Sequence, residues 1–361
     1  MAELARQMPV RAVEAKPPAP IGKRVVQGLT IASSRPYYCR EFYSKGMQEA
    51  IDDLCASEGF DVIQLESTFL CTFRYPRGVR LVIDEHNIES ELFQRMSEGE
   101  RSLPRRTFNR IEYARFRRFE RACWNRTSAC VVTSEREVAT VRGSAPGTPV
   151  IVVPNAVDLD FFALSENSPE PHSVIFSGTL NYRPNLDAAR YLIDDIWPLV
   201  RHRYPDASLT LTGRHDGIDL RSLTRPGVRS LGEVPDIRPH VSDAAAVAVP
   251  IRIGGGTRFK VLEALAMGKA TVSTTAGCEG VAVRDGEHLL IANNASAFAE
   301  KIFEVFENPG LRDALGQAGR RLIETRYSWE LAGNRLEALH QQVTGGQSAP
   351  SRAAAPIHAD V

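Results

Sequence analysis

The chain has 361 residues, enough for two domains that each bury their own core. Its apolar fraction of 43% and charged fraction of 24% are ordinary for a globular protein. Basic and acidic residues balance at 44 each, so there is no global pull toward nucleic acid and any charged partner must be recognised locally.

Residues 1–28 are rich in Pro, Ala and basic residues without a period, and residues 346–361 form a similar Ala/Pro/Ser tail, so both ends are expected to be disordered. The start lacks the apolar segment of a signal peptide, and no run approaches the roughly 20 apolar residues that cross a bilayer, so a cytoplasmic protein is expected. The six cysteines contain no C-x-x-C pair and no histidine at zinc spacing, which favours reduced thiols over a metal knuckle.

Between the tails, strand-like and helical runs alternate. Residues 62–65, 80–83, 130–132 and 150–153 read as buried parallel strands. A second series follows at 173–176, 208–211, 228–231, 246–249 and 270–273. Turn residues and charge interrupt the pattern between Pro154 and Pro171, which places the join there. The division expected is an N-terminal segment 1–28, a first domain 29–158, a second domain 159–327, a terminal helix 328–345 and a tail 346–361. Ligands of open α/β sheets bind at the carboxyl ends of strands, so a cleft between the two domains is the expected site.

The most informative stretch runs from Gly254 to Gly268. Gly254, Gly255 and Gly256 let the backbone approach a ligand with no Cβ in the way, and the helix start that follows favours an anion. Arg258 and Lys260 add full positive charge at the same mouth, which suits a diphosphate. Glu263, one to two turns into the helix, is acceptor-only when ionised and suits a ribose diol. Gly268 takes the left-handed cap.

With these residues in view, the chain resembles a family 4 glycosyltransferase of the GT-B fold, closest to a bacterial exopolysaccharide or envelope-glycan subgroup associated with PEP-CTERM systems. The resemblance rests on Asp84 to Ser90, Val153 to Asp158, Phe176 to Asn185 and the glycine-helix element, in that order, over residues 35–345. It implies α/β architecture with two Rossmann-like domains facing a cleft, and retaining transfer of a sugar from a nucleotide-sugar donor without a bound metal or other cofactor. The diphosphate would lie against Gly255, Gly256, Arg258, Lys260 and the Gly178 loop with Arg183. Glu263 matches the ribose carboxylate, and His86 the histidine that faces the donor sugar and the reacting centre. The acceptor would be a glycan or a lipid-linked molecule.

The sequence departs from that pattern in three places. Gly255 stands where many members carry a glutamate, and Thr179 where many carry an arginine. Family members open with a strand and a glycine-rich loop, and none of that precedes Arg35, so the first domain is expected to lack its first strands.

Other signals read more plainly. His86 alone would pass for a structural histidine, but it falls at a strand's carboxyl end, as does Glu66. Asp158-Leu159-Asp160 has the D-x-D form of a metal motif, yet behind Pro-Asn it reads as a turn. Met267-Gly268-Lys269 fails the phosphate-loop pattern, because Glu263 stands where the earlier glycine is required. Nine arginines between Arg101 and Arg126 flank an expected apolar stripe of Phe108, Ile111, Phe119 and Ala122, which suggests peripheral contact with anionic membrane lipids beside the plainer reading of a solvated helix face. Two rival functions remain open at this point: a non-catalytic nucleotide-sugar-binding scaffold with a reduced first domain, and a sugar-nucleotide epimerase of the same fold.

Overall fold

In the computed structural model, the described residues are 6, 8–13, 35–100, 102–164, 168–254 and 258–345. Both expected disordered tails fall largely outside them, as do the residues that bear on the expected absence of opening strands. The chain forms two compact units, Met1–Val152 with Leu336–Val361, and Val153–Arg335.

The first unit runs α1 (Tyr37–Glu41), α2 (Lys45–Ser57), β1 (Val62–Leu65), a 3-10 turn (Thr68–Thr72), β2 (Arg80–Glu85), α3 (Glu89–Gly99), α4 (Leu103–Trp124), β3 (Ala129–Val132), α5 (Glu135–Ser144) and β4 (Val150–Val152). Its four strands pair in sequence order and in parallel. The register sets Ile83 opposite Leu65 on one side and Cys130 on the other. The β2–β3 and β3–β4 crossovers carry α-helices, and the β1–β2 connection the 3-10 turn. Val82, Ile83, Val131 and Val132 are fully buried, which explains their continuous rather than alternating apolar pattern.

Above this sheet core lies an aromatic cluster in which Phe93 of α3 stacks on Phe116 of α4, ring centroids 5.2 Å apart and 11° from parallel. Burying one such ring contributes about 2 kcal/mol.

Helix α4 departs from expectation. Ala122 is exposed and Phe108, Ile111 and Phe119 are only half-buried, while the fully enclosed positions are Asn109, Glu112, Arg115, Phe116, Glu120, Cys123 and Trp124. The buried stripe is therefore largely polar. Part of it is held by pairing: Glu112 accepts from Arg115 Nη1 at 2.8 Å and from the backbone N–H of Tyr37 at 2.8 Å. Charges without such partners are not kept out of water.

The second unit runs β5 (Ser173–Ser177), α6 (Arg183–Tyr191), a π-helical segment (Leu192–Ile196), α7 (Trp197–Arg203), β6 (Ser208–Thr212), β7 (Val228–Gly232), α8 (Arg238–Asp243), β8 (Ala246–Val249), α9 (Phe259–Ala266), β9 (Thr271–Ser273), β10 (Leu290–Ile291), α10 (Ala295–Glu307), α11 (Pro309–Arg326) and the start of α12 (Trp329–Val343). Its parallel sheet has the order β10-β9-β8-β5-β6-β7, reversing direction between β5 and β8. Ligands of such sheets bind where the order reverses. One large apolar core, including Phe176, Ile196, Trp197, Leu265, Phe298 and Ile323, fills both faces of this sheet.

Asp158 Oδ1 accepts from the N–H of Asp160 (3.0 Å) and Phe161 (2.8 Å), so the D-x-D sequence closes a turn. Helix α12 carries the chain from the second unit into the first, and within the first unit His340 Nε2 lies 2.8 Å from Gln64 Oε1. Among the described residues no helix is long and apolar enough to cross a membrane.

Candidate active site

In the second unit, backbone contacts tie together the loops that leave β5, β6 and β7. Gly178 donates to the Thr212 carbonyl (2.9 Å), Gly213 to the Gly232 carbonyl (2.7 Å), and Leu180 to the Arg214 carbonyl (2.6 Å). The first two of these strands come so close that a Cβ on Gly213 would lie 2.2 Å from the Gly178 carbonyl oxygen. A Cβ on Gly178 would meet the Lys260 ammonium at 2.6 Å. These glycines bring a stiff main chain against the cation.

Lys260, in the first turn of α9, donates to Asn185 Oδ1 at 2.9 Å, and its Nζ lies 4.6 Å from the centre of the Phe176 ring. Asn185 in turn donates from Nδ2 to the Thr179 carbonyl at 3.0 Å. Burial, with Arg258 adding like-charge repulsion, pushes the Lys260 ammonium down to about 7, and Glu263 opposes that shift. The same burial that lowers its proton affinity would make the charge of Lys260 sensitive to a nearby anion.

Arg258, the N-cap of α9, is buried with its guanidinium folded over Gly254 and its Nε 3.4 Å from the Ala276 carbonyl. Glu263, on α9 at a half-buried position, is raised by burial and held back by Lys260. Gly268 has φ +67°, the left-handed cap that the sequence called for. Gly255 and Gly256 lie outside the described residues.

Arg183 opens α6 with an exposed side chain, and among the described residues it makes no hydrogen bond to Lys260, Arg258 or Asn185. The structure therefore gathers Gly178, Lys260 and Asn185 in direct contact, sets Arg258 and Glu263 on the same helix as Lys260, and leaves the Arg183 side chain exposed at the start of the Asn185 helix. Sequence reasoning missed Asn185 and Gly213. Asn185 was visible as an amide in the first turn of the helix after the Gly178 loop, where a side chain can reach back to the loop.

In the first unit, His86 follows β2 and is half-exposed. Its Nε2 is 3.4 Å from Glu66 Oε2 and its Nδ1 is 3.9 Å from Asp84 Oδ1. The hydrogen bond to Glu66 raises the imidazole above its ordinary value and holds the Glu66 carboxyl down. Asp84, mostly enclosed, is pushed up to about 6 by burial. The carboxyl ends of β1 and β2 thus present an acid–imidazole–acid group able to bind or pass a proton at neutral pH. Asp84 was the member that sequence reasoning did not single out.

Residues 171–308 match a family model described as "Glycosyl transferases group 1", and residues 2–161 match "Glycosyltransferase Family 4". The chain is 29% identical over 216 residues to a phosphatidyl-myo-inositol mannosyltransferase of Mycobacterium tuberculosis, a match covering 56% of each chain. It is 30% identical over 157 residues to a GDP-mannose-dependent monoacylated alpha-(1-6)-phosphatidylinositol monomannoside mannosyltransferase of Corynebacterium glutamicum, covering 40% of this chain and 41% of the other. The aligned regions thus span about half the length of these curated relatives or less.

Among solved structures, the Thermosynechococcus elongatus sucrose-phosphate synthase is similar with a TM-score of 0.63 at 17% identity, covering 84% of this chain and 78% of that one. Anabaena HepE in complex with UDP-glucose has a TM-score of 0.60 at 15% identity, covering 94% and 88%. The two parallel α/β sheets and these likenesses define the GT-B fold. The two family models, one on each half of the chain, support a family 4 glycosyltransferase.

Proposed function

We propose that the protein moves a sugar from a nucleotide-sugar donor to a glycan or lipid-linked acceptor, with retention of configuration and without a metal or other cofactor. The observation that carries this reading is Lys260, half-buried against Phe176 and Asn185 beside the Gly178 main chain. A cation with a pKa of about 7 gains charge as an anion binds, and the departing diphosphate is where negative charge grows during transfer. Arg258 supplies a second, permanent charge, Gly255 and Gly256 close main-chain approach, Arg183 an outer cation, and Glu263 the acceptor for the ribose hydroxyls. His86 is assigned to the transfer step rather than to nucleotide binding.

Mannosyltransferase names among the relatives favour a guanine nucleotide, and the UDP-glucose complex of a fold neighbour makes uridine the second candidate. Placement in envelope or exopolysaccharide assembly at the cytoplasmic face of a membrane is part of the same proposal. The exposed Arg105, Arg110, Arg117, Arg118 and Arg121 of α4 offer a face for anionic lipid headgroups.

Thermal stabilisation by GDP, UDP, ADP and dTDP, run beside Glu263→Ala, tests the donor reading, because a ligand of the folded state raises its apparent stability. A shift with one nucleotide that is lost in the variant supports it, while a folded protein that responds to none overturns it. Transfer assays with EDTA and the product's anomeric configuration by NMR test metal independence and retention. Binding without transfer to any acceptor would favour the scaffold.

A further inference from the structure

The loop that carries His86 is fastened at both ends to one helix. Helix α3 starts just after it with Ile88 at the N-cap, a residue whose side chain caps nothing. The first backbone N–H groups of a helix need acceptors. Here one comes from a different element: Glu120 Oε1 of α4 accepts from the Ser90 N–H at 3.1 Å, and the backbone of Glu89 also hydrogen-bonds this carboxyl. One turn further along α4, Trp124 donates from Nε1 to Glu85 Oε1 at 2.7 Å. Glu85 immediately precedes His86, and Ser90 follows it by four residues. The groups making this contact are enclosed, with relative exposure of 1% for Glu85, 0% for Glu120 and 2% for Trp124.

We propose that Glu120 and Trp124 are positioning residues for His86, holding the 85–90 segment in the geometry that aims its imidazole at Glu66. The inference rests on the assignment of His86 to the transfer step. A cap that served stability alone would be cheaper from a local Ser or Asp at position 88. Instead the structure keeps a carboxyl whose Oε2 finds no hydrogen-bond partner among the described residues, a cost tolerated only where the other oxygen is needed in that place. Spacing at i and i+4 on α4 makes the two contacts one clamp, because both side chains leave the same helix face.

The test uses the full chain with Glu120→Leu, Glu120→Gln, Trp124→Phe and His86→Ala. Glu120→Gln keeps an acceptor oxygen, and Trp124→Phe removes the donor while keeping an aromatic ring. The first readout is the imidazole titration of His86 by NMR. In Glu120→Leu and Trp124→Phe it should fall toward the ordinary histidine value as the Glu66 contact loosens, while Glu120→Gln should stay near the wild type. An unchanged titration in folded Glu120→Leu and Trp124→Phe would overturn the clamp.

The second readout is sugar transfer, measured well below each variant's melting temperature. Turnover should drop about tenfold or more in those two variants with donor KM unchanged, since small misplacements of a reacting group are costly. Turnover at the wild-type level in both would also overturn it. If His86→Ala alone retains full turnover, the assignment of His86 fails. If His86→Ala is impaired while the clamp variants are not, only the clamp fails.

Discussion

The two units differ in the charge that they bury: carboxylates predominate in the first, where Arg115 pairs with Glu112, and cations in the second. In the first, Glu85, Glu112, Glu120 and Glu137 are enclosed, whereas the second encloses Arg258 and Lys269 and carries the Lys260 ammonium inward. The carboxylates of the first unit are spent on its own helix starts: Glu112 on the Tyr37 N–H, Glu120 on Ser90, and Glu137 on Thr133 and Ser134 at the head of α5. Helix N-termini carry partial positive charge, so each placement is favourable. In the second unit, Lys260 donates to a neutral amide and faces an aromatic ring, with Arg258 and Glu263 acting on it with opposite sign, and burial has lowered its affinity for a proton. The buried carboxylates of the first unit serve its own helix starts, whereas on the proposed reading Lys260 is kept for a ligand. The difference sorts polar residues by role where residue type alone does not.

The harshest way to break the comparison is to remove a partner inside the first unit. Arg115→Met leaves Glu112 enclosed without its cation, and stability measured by urea denaturation should fall by about 3–5 kcal/mol. A loss below about 1 kcal/mol would mean that the polar stripe of α4 is not structural. Next in size is Gly213→Ala in the second unit, where the new methyl meets the Gly178 carbonyl and a φ of +134° strains any side chain. A loss of about 3 kcal/mol in the same measurement, with nucleotide binding abolished, is expected.

Glu120→Gln sharpens the comparison through pH. Burial raises this carboxyl to about 7 from 4.5, so the folded state binds the proton more tightly than the unfolded chain. The cost of ionising it is absent below the unfolded value, grows as pH rises to about 7, and is complete above that. The amide cannot ionise, so the variant should gain about 3 kcal/mol on the wild type at pH 8 and nearly nothing at pH 4. Melting temperatures across that range check it, and a constant difference would show that Glu120 does not titrate there.

The smallest effect concerns the second unit. If Lys260 loses its proton near 7 when empty and keeps it against a diphosphate, nucleotide affinity should weaken by up to about tenfold per pH unit above 7. Lys260→Met should bind more weakly at pH 6.5 and show a flatter profile. Calorimetric titrations at pH 6.5, 7.5 and 8.5 would settle the slope.

The sheets were legible because their strands are short runs rich in β-branched and apolar residues between turn signals: residues 62–65, partly buried, and 246–249, fully buried, appear where the pattern put them. Strand β10 was not, since two residues give no period to read. The left-handed Gly268 and the cation pair at the start of α9 were readable from local chemistry. Asn185 was not assigned, because its role depends on where α6 comes to rest beside Lys260. On α4 the pattern misled, since Glu112 and Glu120 look like surface residues until the helix starts they serve are known. Arg183 is exposed at the start of α6, and its expected part in binding a diphosphate is carried by the sequence pattern alone.

The cross-capping by α4 bears on the order of folding. Helices α1 and α3 carry no side-chain cap of their own, and their first turns are completed by residues 75 and 30 positions away along the chain. Those capping contacts can form only once Leu103–Trp124 has docked, so the completion of both helix starts is tied to that one helix, and the closure entropy of the intervening chain falls on the same event.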